Sequence, residues 1–237
     1  MDGWAEELLT AVEETHDEHA IFLKVAAAAR GLGFEQCSYG LRLPLPLTNP
    51  KTFVVSNHPM EWQRRYTEAG YVAIDPSVLH GRRSQTPLVW DEQLFAKERK
   101  FWDEAHSAGL RVGWAQSSLD GLGIGGMLTM SRSGELLTPA ELKHKESKMR
   151  WLVNIAHLTM ARAITPKLQS NTGVHLTVRE VEVLKWAADG KTSSEISDIL
   201  CIATDTVNFH IKNSVTKLGA ANKTAAVVRA AMLGLLI

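Results

Sequence analysis

The chain has 237 residues, 45% hydrophobic and 22% charged, with 26 Lys and Arg against 26 Asp and Glu. That supplies real core for one large domain or two smaller ones, and zero net charge excludes a protein that grips polyanions by bulk charge alone. No apolar run approaches the roughly 18 residues of a spanning helix, the start at Met1-Asp2-Gly3-Trp4-Ala5-Glu6-Glu7 is acidic where a secretory signal is basic, and Cys37 and Cys201 sit far apart in apolar stretches, so no membrane, leader or disulfide framework is expected and the location reads as cytoplasmic.

In chain order, the periodicity predicts a helix over 16–30, strands over 38–43 and 52–56, and a helix over 60–69. A helix over 97–108, strands over 112–118 and 127–132 and a long helix over 140–163 follow. Helices flanking one antiparallel sheet make an α+β fold whose N-terminal half is an α/β/α sandwich, a form that can hold a ligand between sheet and helices. Within it, Trp62, Trp90, Trp102 and Trp114 are four of the chain's seven tryptophans, accompanied by Tyr66, Tyr71, Phe95 and Phe101. Aromatics often serve only as core. Buried indole N–H and phenol O–H groups nevertheless need partners, and a concave site with convergent polar groups supplies them. Asp75, in Ala73-Ile74-Asp75-Pro76, must cap a turn or accept a buried hydrogen bond.

Three other features point away from chemistry. His16-Asp17-Glu18-His19 reads as a solvated helix face rather than a metal site. Gly121-Leu122-Gly123-Ile124-Gly125-Gly126 leads into a strand, not a helix, so it reads as a turn rather than a dinucleotide fingerprint. With no G-x-S-x-G elbow, an enzyme is not expected, nor is a phosphorylated receiver, whose acidic cluster and lysine cannot be placed.

At Thr165-Pro166-Lys167-Leu168-Gln169-Ser170-Asn171-Thr172-Gly173 the periodicity stops, giving residues 1–165, a linker over 166–174 and a second domain over 175–237. The second domain reads as all-α with four helices. Thr177 and Glu180 form a capping box, and Val181, Leu184, Trp186 and Ala187 give the first helix its apolar face, closed by Asp189-Gly190. Thr192 or Ser193 caps the second, with Ile196, Ile199 and Leu200 inward. Thr204 caps the third, whose buried stripe is Val207, Ile211, Val215 and Leu218, and Asn222 caps the fourth. The polar face of the third helix presents Asn208, Lys212 and Phe209, groups able to reach base edges or a thymine methyl. A short helix, a tight turn and a helix exposing such a face make a helix-turn-helix.

The residues Leu176-Thr-Val-Arg-Glu180, Gly190-Lys191-Thr192, Glu195-Ile196, Thr206-Val207, Phe209-His210, Lys217-Leu218 and Asn222-Lys223 make this segment resemble the DNA-binding domain of LuxR-type transcription regulators. The resemblance extends to the N-terminal half through Trp62, Tyr66, Asp75, Pro76, Trp90 and Gly113, positions that mark the family's autoinducer-binding domain. It implies an N-acyl homoserine lactone as ligand and no cofactor. Trp62 would donate to the lactone carbonyl, Asp75 would accept from the amide N–H, and Thr129 would donate to the amide carbonyl. Tyr66, Trp90, Phe101, Trp102, Ala105 and Leu110 would wall the ring and the start of the chain. His58 stands where these receptors usually carry a tyrosine, and it is expected to titrate near neutrality.

For DNA, Lys191, Lys212 and Lys217 would hold phosphate or groove edges, Arg179 is a weaker candidate, and Thr206, Asn208 and Phe209 complete the reading face. The segment from residue 170 carries seven Lys and Arg against six Asp and Glu, so one copy should bind weakly and a homodimer on a dyad site is the remedy. The long helix, with Met149, Leu152, Val153, Ala156 and Met160 at helical spacing, is the candidate dimer seam, packing on its own sheet being the alternative. RNA polymerase is a further candidate partner. A regulator of the same fold with another ligand, or working without ligand through a protein partner, remains open.

Overall fold

A computed structural model of the chain describes residues 6, 8–10, 15–121, 123–168 and 174–236. They form two compact units, one made of most of the residues up to Leu168 and one made chiefly of the C-terminal segment, to which residues 44–49 and 121–123 are also assigned.

The first unit is organised by a five-stranded sheet in the order β2-β1-β5-β4-β3, with every neighbouring pair antiparallel. The strands are β1 (Gln36–Arg42), β2 (Thr52–Ser56), β3 (Leu88–Val89), β4 (Val112–Leu119) and β5 (Gly125–Arg132). Because side chains alternate across a strand, Cys37, Tyr39, Leu41, Trp114, Leu128 and Met130 all face one side, where α1 (Glu18–Gly31) and α5 (Pro139–Leu168) cover them. Asp17 caps α1 by accepting from the Ala20 N–H at 3.1 Å. Helix α5 is anchored at its start by Glu141, which takes Arg132 in two bonds of 2.8 and 2.9 Å and Lys145 at 2.8 Å. Lys145 also donates to the Leu32 carbonyl at the end of α1. In the middle of this core the Tyr39 hydroxyl meets His157 Nδ1 at 2.9 Å. A Cβ on Gly126 would lie 2.2 Å from that nitrogen, so only glycine admits the pair.

Two expectations are corrected here. Met149, Leu152, Val153, Ala156 and Met160 are buried against the sheet and α1 of their own chain. The helix has one dominant apolar stripe, and the core face of β4 and β5 needs it, so those residues are not open to a partner. Helix α5 also continues through Pro166 to Leu168, into the segment expected as linker. Its last turn is supported by Lys51 Nζ on the Leu168 carbonyl at 2.7 Å and by an ion pair of Lys167 with Glu18. Residues 169–173 of that linker lie outside the described residues.

The other face of the sheet is covered by α2 (Met60–Glu68), a 3-10 turn (Tyr71–Ala73), α3 (Pro76–Gly81) and α4 (Arg99–Ser107). The turn, α3 and β3 were not legible as elements; each has at most six residues, too few for a periodicity to register. Asp75 is both the N-cap of α3, accepting from the Ser77 N–H at 2.8 Å, and the residue before Pro76 at the first helical position. Gly121 stands in a turn and Gly125 and Gly126 open β5, so the segment leads into a strand as expected, with Leu122 outside the described residues. Cys37 is buried, Cys201 is exposed, and both are free thiols.

The second unit has four helices, α6 (Val178–Ala188), α7 (Ser193–Leu200), α8 (Thr204–Lys217) and α9 (Lys223–Met232). Reciprocal capping boxes open α6 at Thr177/Glu180 and α7 at Thr192/Glu195, and Asn222 caps α9. The cap of α8 differs from expectation. Ala203 holds that position without a side-chain bond, while the Thr204 hydroxyl donates instead to Ser197 Oγ at 3.1 Å and ties α8 to α7. Val183 rather than Val181 is fully buried in α6, and Ile199 turns outward, because the core is filled by Val183, Ile196 and Val207.

Candidate functional site

Helix α2 places Trp62 and Tyr66 one turn apart on one face. Helix α4 brings Phe101, Trp102 and Ala105 toward them, and the turn after α4 adds Leu110, whose N–H bonds the Ala105 carbonyl at 3.0 Å. With Tyr71, Phe95 and the half-buried Trp90 these residues form one cluster. Its rings meet edge-on or tilted, Trp62 on Phe101 at 5.8 Å and Tyr71 on Phe101 at 4.9 Å, while Phe95 and Trp102 stack at 4.2 Å. Such geometry follows the ring quadrupoles. Trp114, grouped with these aromatics in the sequence, is not part of it. Strand alternation turns its side chain into the α1/α5 core.

Trp90 reaches the sheet because Gly113 has no side chain. The Trp90 N–H bonds the Gly113 carbonyl at 2.8 Å, and a Cβ on Gly113 would come within 2.2 to 2.6 Å of the indole ring. Gly113 pairs with Ser131, Ala115 with Thr129, and Ser117 with Met127. On the other side of β5, Ser38 pairs with Thr129 and Gly40 with Met127. The floor facing α2–α4 is thus a band of small and hydroxyl-bearing residues. Beyond it, Met127 Sδ and Ser117 lie against Gly81 at the end of α3.

The polar groups of this space are buried and incompletely paired. Asp75 takes the Tyr66 hydroxyl on Oδ2 at 2.9 Å and the Ser77 N–H on Oδ1, and a carboxylate has lone pairs for another donor. Burial raises its pKa, opposed by those hydrogen bonds, while burial and the Asp75 charge push the Tyr66 phenol up. Trp90 Nε1, Ser131 Oγ and His106 Nε2 are buried without a hydrogen-bond partner among the described residues, as is His58 Nε2 just ahead of α2. Native proteins rarely leave such atoms unmet, and a bound polar molecule is one way to meet them. Ser131 was missed by sequence reasoning. It lies two residues beyond Thr129 on the same face and is fully buried where Thr129 is half-buried, so strand alternation from Thr129 would have found it.

His58 departs from expectation in its titration. Burial pushes its pKa down to about 4, so the ring is neutral at physiological pH and presents one donor and one acceptor nitrogen. Among the described residues there is no cluster of three or more His, Cys, Asp or Glu able to hold a metal ion, and no helix long and apolar enough to cross a membrane.

In the second unit, Val207, Ser214 and Leu218 bury one side of α8 while Thr206, Asn208, Phe209 and Lys212 stand exposed on the rest of it. Phe209 is 59% exposed, a large apolar ring held in solvent by a helix that could have hidden it. Lys191 leans toward Glu195 at 3.8 Å, leaving it half-exposed. Lys217 is differently placed. Its ammonium bonds the buried Glu180 at 2.7 Å. Burial would raise the Glu180 carboxyl, but Lys217 and the Thr177 N–H outweigh it and the net shift is downward. Lys217 therefore closes the capping box of α6 onto α8 instead of standing free for phosphate.

Residues 17–160 match the autoinducer binding domain, and residues 174–230 match the family of bacterial regulatory proteins described as luxR. The chain is 44% identical over its full length, and over all of the relative, to the transcriptional activator protein AnoR of Acinetobacter nosocomialis. It is similar to the crystal structure of Escherichia coli SdiA, with a TM-score of 0.86 at 31% identity covering 99% of this chain and 98% of that one; SdiA in complex with octanoyl-rac-glycerol matches with a TM-score of 0.85. The N-acylhomoserine lactone dependent factor CepR2 from Burkholderia cenocepacia matches 70% of this chain and 96% of its own at 34% identity, with a TM-score of 0.63.

Proposed function

The chain belongs to the luxR family of bacterial regulatory proteins, a family of transcription regulators rather than enzymes, and on that premise we propose that it is a cytoplasmic quorum-sensing receptor for an N-acyl homoserine lactone. In this reading the residues up to Leu168, where α5 ends, hold the ligand, 169–174 link and 175–237 bind DNA. The aromatic cluster beside Asp75 and the unpartnered Ser131 hydroxyl carry the ligand assignment. The ligand's amide offers a donor to Asp75 and an acceptor to Ser131 or Thr129, its lactone carbonyl takes the Trp62 indole, and Trp90, Phe101, Trp102, Ala105 and Leu110 wall the ring. The chain of the ligand runs over the small-residue floor toward Met127, each buried methylene adding about 0.8 kcal/mol.

Ligand bound in a core stabilises the fold by mass action, and the stabilised receptor binds a dyad DNA site as a homodimer. Asn208, Phe209 and Thr206 read bases, and Lys212 and Lys191 hold phosphate. The dimer uses the outward side of α5, where Leu158 is exposed. The sign is activation, the role named for the Acinetobacter relative, through contact with RNA polymerase.

The test is a panel of acyl homoserine lactones of graded chain length, read by melting temperature and by sedimentation. A rise of several degrees peaking at one length, with a dimer in that sample, is the expected result. No rise with any of them refutes the ligand. The SdiA complex favours one second reading, an acylglycerol, whose glycerol hydroxyls would take the place of the lactone against Asp75 and Ser131. Octanoylglycerol in the same panel distinguishes the two.

A further inference from the structure

A polar network at the edge of the aromatic cluster, sharing only Tyr71 with it, takes no part in the ligand contacts above. Arg65 on α2 meets Glu104 on α4 in two parallel bonds, Nε to Oε2 at 2.7 Å and Nη2 to Oε1 at 2.9 Å. The Tyr71 hydroxyl donates to the same Oε2 at 2.6 Å and accepts from Arg65 Nη2 at 3.3 Å, and the guanidinium stands 5.6 Å over the Tyr71 ring. One carboxylate thus ties α2, the 3-10 turn and α4 together. Arg65 is flanked on α2 by Trp62 and Tyr66, and Glu104 on α4 by Phe101 and Ala105, so the network lies directly behind the aromatic wall. The Glu104 carboxyl, held by Arg65 and Tyr71, is pushed down to about 2 and is ionised at neutral pH.

The two sides of the sheet are secured differently. Helices α1 and α5 rest on it through a continuous hydrophobic core, with the Glu141 ion pairs at the start of α5. Helix α2 is joined to α4 by ring contacts, which tolerate sliding, and by this bidentate pair, which fixes an angle. The bidentate pair therefore fixes the angle between α2 and α4 that the ring contacts leave free.

We propose that Arg65, Glu104 and Tyr71 form a latch that positions Trp62 and Tyr66 over the bound ligand and sets how fast the ligand leaves. The inference rests on the reading of the aromatic cluster as the ligand site. A latch of partly exposed charges weakens with salt, and since tuning of affinity resides mostly in dissociation, the effect appears there first.

The experiment compares the full chain with Glu104→Gln, Tyr71→Phe and the reversed pair Arg65→Glu/Glu104→Arg. Hydrogen exchange across 60–68, relative to β4 and β5, is measured without ligand. Loss of the most stabilising acyl homoserine lactone after dilution is measured at about 0.1 M and about 1 M salt. Glu104→Gln is expected to raise exchange in α2 several-fold while β4 and β5 stay protected, and to speed release about tenfold. Release from the unmodified protein should quicken with salt, release from Glu104→Gln should not, and the reversed pair should recover most of the lost residence time. Tyr71→Phe, which keeps the ring and the ion pair, gives a smaller change in the same direction. Unchanged exchange in α2 overturns the latch whatever the ligand. So does faster release accompanied by an equal loss of protection in β4 and β5. A loosened α2 in a protein that retains no acyl homoserine lactone overturns the ligand reading, and the latch's role in residence falls with it.

Discussion

Replacing Gly113 by alanine tests the assembly of the site at its narrowest point. The added Cβ would stand 2.2 to 2.6 Å from three atoms of the Trp90 ring. Carbon atoms rest at about 3.5 to 4.0 Å, so the indole must move by about 1 Å or more. That motion strains a packed core by about 1 to 3 kcal/mol. It also loosens the edge contacts of Trp90 with Phe95 at 5.8 Å and Trp102 at 6.3 Å, each worth about 0.5 to 1.5 kcal/mol. A total of about 2 to 6 kcal/mol in a domain of this size lowers the melting temperature by about 4 to 24 °C. The assay is thermal unfolding followed by tryptophan fluorescence, since Trp62, Trp90, Trp102 and Trp114 all report on the first unit. Gly121→Ala, where no atom lies within 4 Å of the new Cβ, is the control and should melt like the parent. In a Trp90→Ala background the cost of Gly113→Ala should fall to about 0.5 kcal/mol or less, because the clash is gone. Melting within about 1 °C of the parent, or a cost that persists without Trp90, refutes the reasoning.

Burial holds His58 near pKa 4, below its ordinary 6.5. The unfolded chain then binds the extra proton first, so stability is flat above pH 6.5 and falls as pH drops toward 4, by about 3 kcal/mol in all. Urea unfolding of the parent and His58→Gln at pH 7.5 and 4.5 checks this, the variant losing that part of the slope. Lys212→Ala should weaken DNA binding evenly across sequences and reduce the salt slope by about one, whereas Lys217→Met should leave the slope nearly unchanged. The latter should cost about 1 to 2 kcal/mol of stability in the second unit, because it strands the buried Glu180; titrations at several salt concentrations and a melting curve separate the two. Met127→Ala should move the preferred acyl chain toward greater length, because Met127 lies four residues from Ser131 along β5, about 14 Å at 3.4 Å per residue. An optimum unmoved in the same melting panel would remove Met127 from the wall of the site.

Elements whose stabilising interactions are local were legible in the sequence. The capping box at Thr177 and the cap at Asn222 are formed where three- and four-residue spacings place them, and of the two caps open to α7 the structure uses Thr192. Strand β2 has the predicted bounds, and the other three predicted strands are shifted by at most two residues, since alternation is written in the chain itself. The aromatic cluster was legible in composition, though not in membership: Trp114 shares the residue type and goes to the opposite face because its register on β4 puts it there. The long helix carried one apolar stripe, and nothing in its spacing distinguished a partner chain from the sheet; only the uncovered side chains of β1, β4 and β5 decided that it packs inward. Lys217 and Lys212 read alike as cations on one helix until Glu180, 37 residues away, claimed one of them. His58 looked like a group that titrates near neutrality, and its burial took that property away. Caps, turns and strand faces follow from neighbours within a few residues, where sequence and contact coincide. Charge state, pairing and exposure depend on dielectric and on partners supplied from elsewhere in the chain, and these exist only once the chain has folded.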